Sequence, residues 1–301
     1  MRVLRTVAEL REQLATAHRD GRRIGLVPTM GALHDGHLSL IRGARERCDV
    51  VVVTLFVNPA QFNESSDLER YPRDEKHDQQ LAAAAGADIL FAPDVDEVYP
   101  RGFSTSVEVL GVSERLEGEH RGAEHFRGVA TVVAKLLCMA LPDEAYFGDK
   151  DAQQLVVIRR LVADLNLPVE VVGMPTVREH DGLAMSSRNA LLGTEERERA
   201  TALWRALDAA RAVAAAGEQE ADALVAAATD VLADAGVAPE YVALVDPDTF
   251  EPLPALERPG LLAIAAHVGA VRLIDNTLLE PASVPASGRA DAGKEHAPCS
   301  A

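Results

Sequence analysis

The chain has 301 residues, 48% hydrophobic and 26% charged, the balance of a globular protein long enough to bury a core in one large or two modest domains. A formal net charge of -17 argues against a nucleic-acid partner, because that interaction runs on clustered lysine and arginine. The three cysteines, Cys48, Cys138 and Cys299, are too far apart to suggest a disulfide framework or thiolate metal site; without a signal peptide or an apolar run near the ~20 residues of a membrane span, a cytoplasmic location is expected.

Thr6-Val-Ala-Glu9 has the form of a capping box, and Val7, Leu10 and Leu14 follow at helical spacing, predicting a helix that ends at Asp20-Gly21. Residues 23–27 predict a first strand and residues 49–56, with the run Val50 to Val53, a second. A helix between them gives a β-α-β order with a parallel pair. A loop at 57–73 leads to a helix through Gln80 and Ala84, a short strand at 88–91 and a proline-punctuated connection. A glycine-rich, charged segment at 116–128 precedes an apolar helix over 129–140, a strand at 145–148, a helix over 152–165 and a strand at 169–172.

Beyond Pro175 the composition changes. Alanine-rich helical segments over 194–236, broken near Gly217, are followed by strand-like runs at 241–245, 261–268 and 271–274. The expected fold class is therefore α/β: a Rossmann-like parallel-sheet domain over residues 1–175, then a smaller C-terminal α+β lid domain over 176–280. The tail, 281–301, lacks apolar periodicity and is expected to be disordered. Trp204, among alanines and leucines, reads as core.

Four stretches gather polar residues. In the first, Gly25 to Leu40, a buried strand feeds a glycine-containing turn and a helix whose first turn carries His34 and His37. At an i, i+3 spacing both rings can face one group, Gly36 between them lets a ligand approach the backbone, and a helix amino terminus favours an anion. Two hydrogen bonds from such a pair, neutral or charged, suit a phosphate moving toward a pentavalent transition state; a helix cap on a surface helix is the plain structural alternative. The second stretch, Phe56 to Phe62, follows the second strand, and there Asn58 and Gln61 each offer a donor and an acceptor, although Asn-Pro also reads as a simple turn.

The third stretch, Phe147 to Gln154, again follows a strand and opens a helix. Asp149 and Asp151 are explained there as favourable charges at a helix amino terminus, whereas Lys150 opposes the dipole unless a phosphate is near. In the fourth, Val177 to Asn189, Ser186, Ser187 and Arg188 supply two hydroxyls and a guanidinium suited to pyrophosphate, on a loop placed to close over a site between domains; a solvated loop with a serine cap is the alternative. His120 and His125 lack the register of a zinc helix, and no dedicated metal site is expected there.

The histidine-x-glycine-histidine signature resembles that of the nucleotidyltransferase superfamily, and the string Pro28 to His37 is similar to one family within it, the pantoate-β-alanine ligases. The resemblance implies ATP held by Met30, Gly31, His34, Gly36, His37, Gly148, Asp149, Lys150, Asp151, Val177, Met185, Ser186, Ser187 and Arg188. It implies pantoate held by Gln61 and Gln154 with Asn58 and Met30 nearby, and catalysis by His37, His34, Lys150 and Arg188. It further implies Mg2+ bridging phosphate oxygens with few protein ligands, β-alanine as second substrate, a homodimer, and a product that is a coenzyme A precursor.

Against the family pattern, Ala60 replaces a bulkier residue, Asp149 a glutamate, Ala152 an aromatic and His180 an alanine. The segment 121–129 is one residue longer and lacks a proline, which points to a more mobile lid. Two other readings of the same residues are a nucleotidyltransferase that forms no amide and a non-catalytic nucleotide-binding module. A tRNA synthetase is disfavoured by the acidity of the chain.

Overall fold

The computed structural model describes residues 1–62, 68–69 and 71–282. The first helix, α1 (Val7–Arg19), starts at the capping box read from the sequence: the Thr6 hydroxyl accepts from Glu9 N–H and the Glu9 carboxylate from Thr6 N–H. A short strand, β1 (Arg2–Leu4), precedes it and carries no sequence signal, because three half-exposed residues cannot establish a period of two.

The next elements are β2 (Ile24–Thr29), α2 (Asp35–Arg47), β3 (Val50–Leu55), α3 (Glu75–Ala85), β4 (Ile89–Phe91) and the single turn α4 (Val95–Val98). After them come α5 (Glu117–Arg121), α6 (Ala123–Ala140), β5 (Glu144–Gly148), α7 (Ala152–Asp164) and β6 (Glu170–Met174). The six strands form one parallel sheet in the order β1-β4-β3-β2-β5-β6. Val51, Val52 and Val53 are fully buried, as expected of a strand covered by helices on both faces.

Strand order reverses at β2, which has β3 on one side and β5 on the other. Pairing between β2 and β5 is confined to Gly25 with Glu144 and Leu26 with Ala145, so their carboxyl ends lead into separate loops beside an open crevice. In an open α/β sheet this switch point is where a ligand fits.

The remaining elements are α8 (Thr194–Ala200), α9 (Ala202–Ala215), α10 (Ala221–Asp234) and an antiparallel sheet of β7 (Pro239–Val245), β8 (Gly260–Val268) and β9 (Val271–Leu279). This sheet has its own core, in which Leu203, Leu207, Leu224, Leu256 and Ile264 are buried. Val245, Phe250 and Leu261 instead pack with the core of the parallel sheet.

The α/β class is as expected, and so is the order of the elements predicted from the sequence; β1, α4 and α5 are not among these, and the helix expected over 129–140 begins at Ala123. The alanine-rich region holds three helices rather than two, since Thr201 separates α8 from α9. Strand β9 runs on to Leu279, past the polar run Asp275-Asn276-Thr277 that hid its end. Trp204 is half-buried and lies against arginines rather than in the core. Most of the expected disordered tail, residues 283–301, and part of the loop at 57–73 lie outside the described residues.

Candidate active site

At the switch point lies a cavity of about 280 Å³. The turn after β2 brings His34 to its wall as the residue capping α2, one position before the helix, rather than inside the first turn. The His34 Nδ1 accepts from Gly36 N–H at 3.2 Å, and the His37 Nδ1 accepts from His34 N–H at 3.4 Å. These bonds assign the tautomers: with Nδ1 occupied as acceptor, a neutral ring carries its proton on Nε2.

The two rings lie 4.1 Å apart between centroids. Burial pushes the pKa of His37 down to about 3, with further lowering by His34 and Lys150. Burial and then Lys150 lower His34 as well. Both histidines are therefore neutral hydrogen-bond donors at neutral pH, not cations. Gly36 is needed because a Cβ there would stand 2.9 Å from the His34 ring, which folds back over it.

Asp78 of α3 holds this turn from behind. Only 2% exposed, its carboxylate accepts from Ala32 N–H at 2.9 Å and Leu33 N–H at 2.7 Å, fixing a backbone that passes through φ +93° at Gly31 and +51° at Ala32. Gly31 faces Asp78 and Leu55 and does not line the cavity.

Beyond β3, Asn58 is only 1% exposed, and the protein engages both ends of its amide. Its Nδ2 donates to Gln61 Oε1 at 3.0 Å and to the Gly128 carbonyl at 3.1 Å, and its Oδ1 accepts from Tyr99 Oη at 2.7 Å and Ala60 N–H at 3.3 Å. Asn58 thus orients Gln61, whose amide stands on the cavity wall.

After β5, Gly148, Lys150 and Asp151 line the cavity, the last two on a 3-10 turn (Asp149–Asp151) whose carbonyls at 149 and 150 accept from Asn276 Nδ2 at 3.0 and 2.9 Å. Asp149 itself turns toward Gly173 and Arg159, and burial raises its pKa. Both aspartates stand at the amino-terminal end of α7, where their charge is favourable as the sequence reading has it, although neither side chain caps a backbone N–H there. Gln154 is on the cavity wall, while Gln153, 4% exposed, donates to the carbonyls of Val112 and Arg115 and accepts from Glu117 N–H.

The fourth stretch reaches the same place. Val177, Met185, Ser186, Ser187 and Arg188 line the cavity, a Cβ on Gly36 would lie 3.7 Å from that of Met185, and Ser187 hydrogen-bonds the Tyr71 hydroxyl. The Ser186 hydroxyl caps the following 3-10 turn by accepting from Arg188 N–H at 3.2 Å. Met30 completes the set of sequence-derived residues on the wall, from which Gly31 and Asp149 are absent.

Further wall residues come from the 116–129 region, which the sequence reading marks as a lid segment and not as part of the site. His125, 6% exposed, binds the Gln61 carbonyl at 2.9 Å through Nδ1 and Arg121 at 3.1 Å through Nε2, while His120 leans toward Glu240 and Tyr241. The two histidines thus serve different places. Burial raises the pKa of Glu117, but the Arg272 guanidinium and the Tyr241 hydroxyl outweigh it and hold the carboxylate below its usual range.

A family model described as Pantoate-beta-alanine ligase matches residues 2–278. The chain is 56% identical over 274 residues to the pantothenate synthetase of Cereibacter sphaeroides, spanning 91% of this chain and 98% of that one. It is 51% identical over 281 residues to the pantothenate synthetase of Moorella thermoacetica, spanning 93% and 99%. Among solved structures, the pantothenate synthetase from Thermus thermophilus matches with a TM-score of 0.89 at 47% identity, covering 93% of this chain and all of that one (100%). The pantoate-beta-alanine ligase from Francisella tularensis, complexed with beta-gamma ATP and beta-alanine, matches with a TM-score of 0.78 at 33% identity, covering 92% and 97%.

Proposed function

The chain belongs to the pantoate-beta-alanine ligase family, and from that premise we propose that it joins pantoate to β-alanine at the expense of ATP, through a pantoyl adenylate. The observation that carries this reading is the meeting of four distant stretches on one cavity. Imidazoles, an ammonium, hydroxyls and guanidiniums line it together with the amides of Gln61 and Gln154.

A carboxylate resists attack by an amine because its carbonyl is electron-rich and its leaving group would be oxide. Transfer of AMP to it gives a mixed anhydride with a good leaving group. A pantoate carboxylate oxygen bonds to the α-phosphorus as the bond to pyrophosphate breaks; the β-alanine nitrogen then bonds to the acyl carbon, AMP departs and the nitrogen loses a proton.

The Nε2–H groups of His34 and His37 donate to the α-phosphate oxygens as charge moves onto them, the arrangement that electrostatic catalysis requires. Lys150, Ser186, Ser187 and Arg188 hold the departing pyrophosphate. Gln61 and Gln154 bind the hydroxyl and carboxylate of pantoate, and Val129, Val132 and Val133 on the same cavity suit its two methyl groups.

Magnesium fits as an ion carried in on the triphosphate. Among the described residues no three His, Cys, Asp or Glu side chains cluster as a ready cage, and Asp151 places one carboxylate on the wall beside Lys150. Phosphate and water would supply most of its ligands, as the ion prefers, and its chemistry is to neutralise phosphate charge. Residues 176–280 act as the lid body. A cytoplasmic homodimer is part of the same proposal: the described helices include none able to cross a membrane, and sedimentation tests the dimer.

The decisive experiment is exchange of labelled pyrophosphate into ATP with pantoate present and β-alanine withheld. Exchange followed by AMP release on adding β-alanine is expected. Exchange with no such release would point to a nucleotidyltransferase, and binding of ATP without exchange to a non-catalytic module.

A further inference from the structure

Residues 177–185 form a narrow hairpin in which Met185 N–H donates to the Val177 carbonyl at 2.9 Å and Glu179 N–H to the Leu183 carbonyl at 2.8 Å. Its tip rests on Trp204 of α9. The Arg178 guanidinium carbon lies 4.1 Å from the centroid of the indole rings, and that of Arg211 lies 5.1 Å from it. Gly182, at φ +89°, presses on the same side chain so closely that a Cβ there would stand 2.2 Å from the indole Cδ1.

Distant charges fix the hairpin further. Arg178 makes a two-pronged pair with Asp275 of β9 at 2.6 and 2.9 Å and donates to the Gly182 carbonyl at 3.1 Å. Arg197 of α8 grips Glu179 at 2.7 and 2.9 Å and Asp181 at 2.8 Å, while Asn189 Nδ2 donates to Glu179 at 2.7 Å. Arg197, Trp204, Arg211 and Asp275 all belong to the body that carries the antiparallel sheet.

We propose that Trp204 is a positioning residue, seating the Arg178–Gly182 hairpin as a rigid extension of that body so that Ser186, Ser187 and Arg188 meet the triphosphate already ordered. An unseated loop would have to be ordered by the nucleotide itself, at an entropic cost deducted from ATP affinity. The inference rests on the pyrophosphate-holding role given above to residues 186–188. It keeps the hairpin on its indole whether or not nucleotide is bound.

Trp204 is the chain's one tryptophan, so intrinsic emission reports its stacking directly. The test compares the full-length enzyme with Trp204→Ala, Trp204→Phe and Gly182→Ala, measuring KM for ATP and for pantoate separately. Trp204→Ala is expected to raise the ATP KM about tenfold, the scale of a lost guanidinium-on-ring contact. The pantoate KM should not move, and Trp204→Phe should recover most of the loss because a phenyl face still stacks on Arg178.

Gly182→Ala keeps the indole but lifts the hairpin, so it should raise the ATP KM and alter the emission even if Trp204→Ala does not fold. Emission of the unmodified enzyme should stay constant when a non-hydrolysable ATP analogue is added. An unchanged ATP KM in Trp204→Ala, parallel rises for both substrates, a phenylalanine variant as impaired as alanine, or an emission shift on nucleotide binding would each overturn the proposal. Failure of the ligase reading would look different: no pantoate-dependent AMP formation by the unmodified enzyme.

Discussion

The turn at 28–37 and the loop at 177–189 present polar atoms to one cavity, yet they are held in opposite ways. In the first, His34 and His37 are oriented by N–H groups two and three residues away, and the carboxylate of Asp78 supports the turn from behind. The second is held by Arg197, Trp204 and Asp275, the last separated from Arg178 by 97 positions. The first half takes its ring orientations from chain neighbours, and its backbone is fixed once α3 brings Asp78 beneath it, 45 and 46 positions on. The other half exists only after the small sheet has folded.

The sharpest test of this contrast is on the local half. His37→Ala is expected to slow adenylation by about 10²-fold to 10⁴-fold, the effect of losing a positioned donor to the transition state. Pre-steady-state AMP transfer at an unchanged rate would remove the histidine from the chemistry. The distant half should respond more mildly and mainly in nucleotide affinity, as set out for Trp204→Ala, because its loss loosens a loop without deleting a contact to phosphate.

Asp78→Ala examines the support beneath the local turn. It strands two N–H groups, one of them on the buried Leu33, which costs about 1–3 kcal/mol. Urea unfolding should show that loss of stability together with slower adenylation; a stability loss with normal adenylation would mean that the turn holds its shape without the carboxylate.

The smallest expected effect is on pH dependence. Burial holds His37 at about 3 and His125 at about 4, below the roughly 6.5 of a histidine in an unfolded chain. The unfolded state therefore binds more protons as pH falls, so the folded state is at full stability above about pH 6.5 and loses it progressively toward pH 4. His37→Gln should flatten part of that slope between pH 7.5 and 5. An identical slope would show that His37 remains free to protonate in the folded enzyme.

Much of the fold was legible because strands such as Val50–Leu55 and caps such as Thr6 with Glu9 are written in short-range pattern. The same is true of the histidine turn and of Lys150, whose charge has no structural reason at a helix amino terminus. Glu117, Arg121 and His125 were not legible as part of the site. Their neighbours in sequence are glycines and charges; Arg121 meets His125 only four positions on, but the Arg272 and Tyr241 partners of Glu117 and the Gln61 carbonyl bound by His125 lie 64 to 155 positions away.

Trp204 shows the limit most plainly. Its surroundings in sequence are those of a core residue, but tertiary packing puts guanidiniums against it. By itself the sequence determined where strands feed helices and which side chains stand at those junctions, since hydrogen-bond capping and hydrophobic period act over a few residues. Tertiary structure alone decided which amide is used internally, as with Asn58, which histidines are neutral, and what anchors the second loop. Burial, ion pairing and ring contacts depend on groups that only the folded chain brings together.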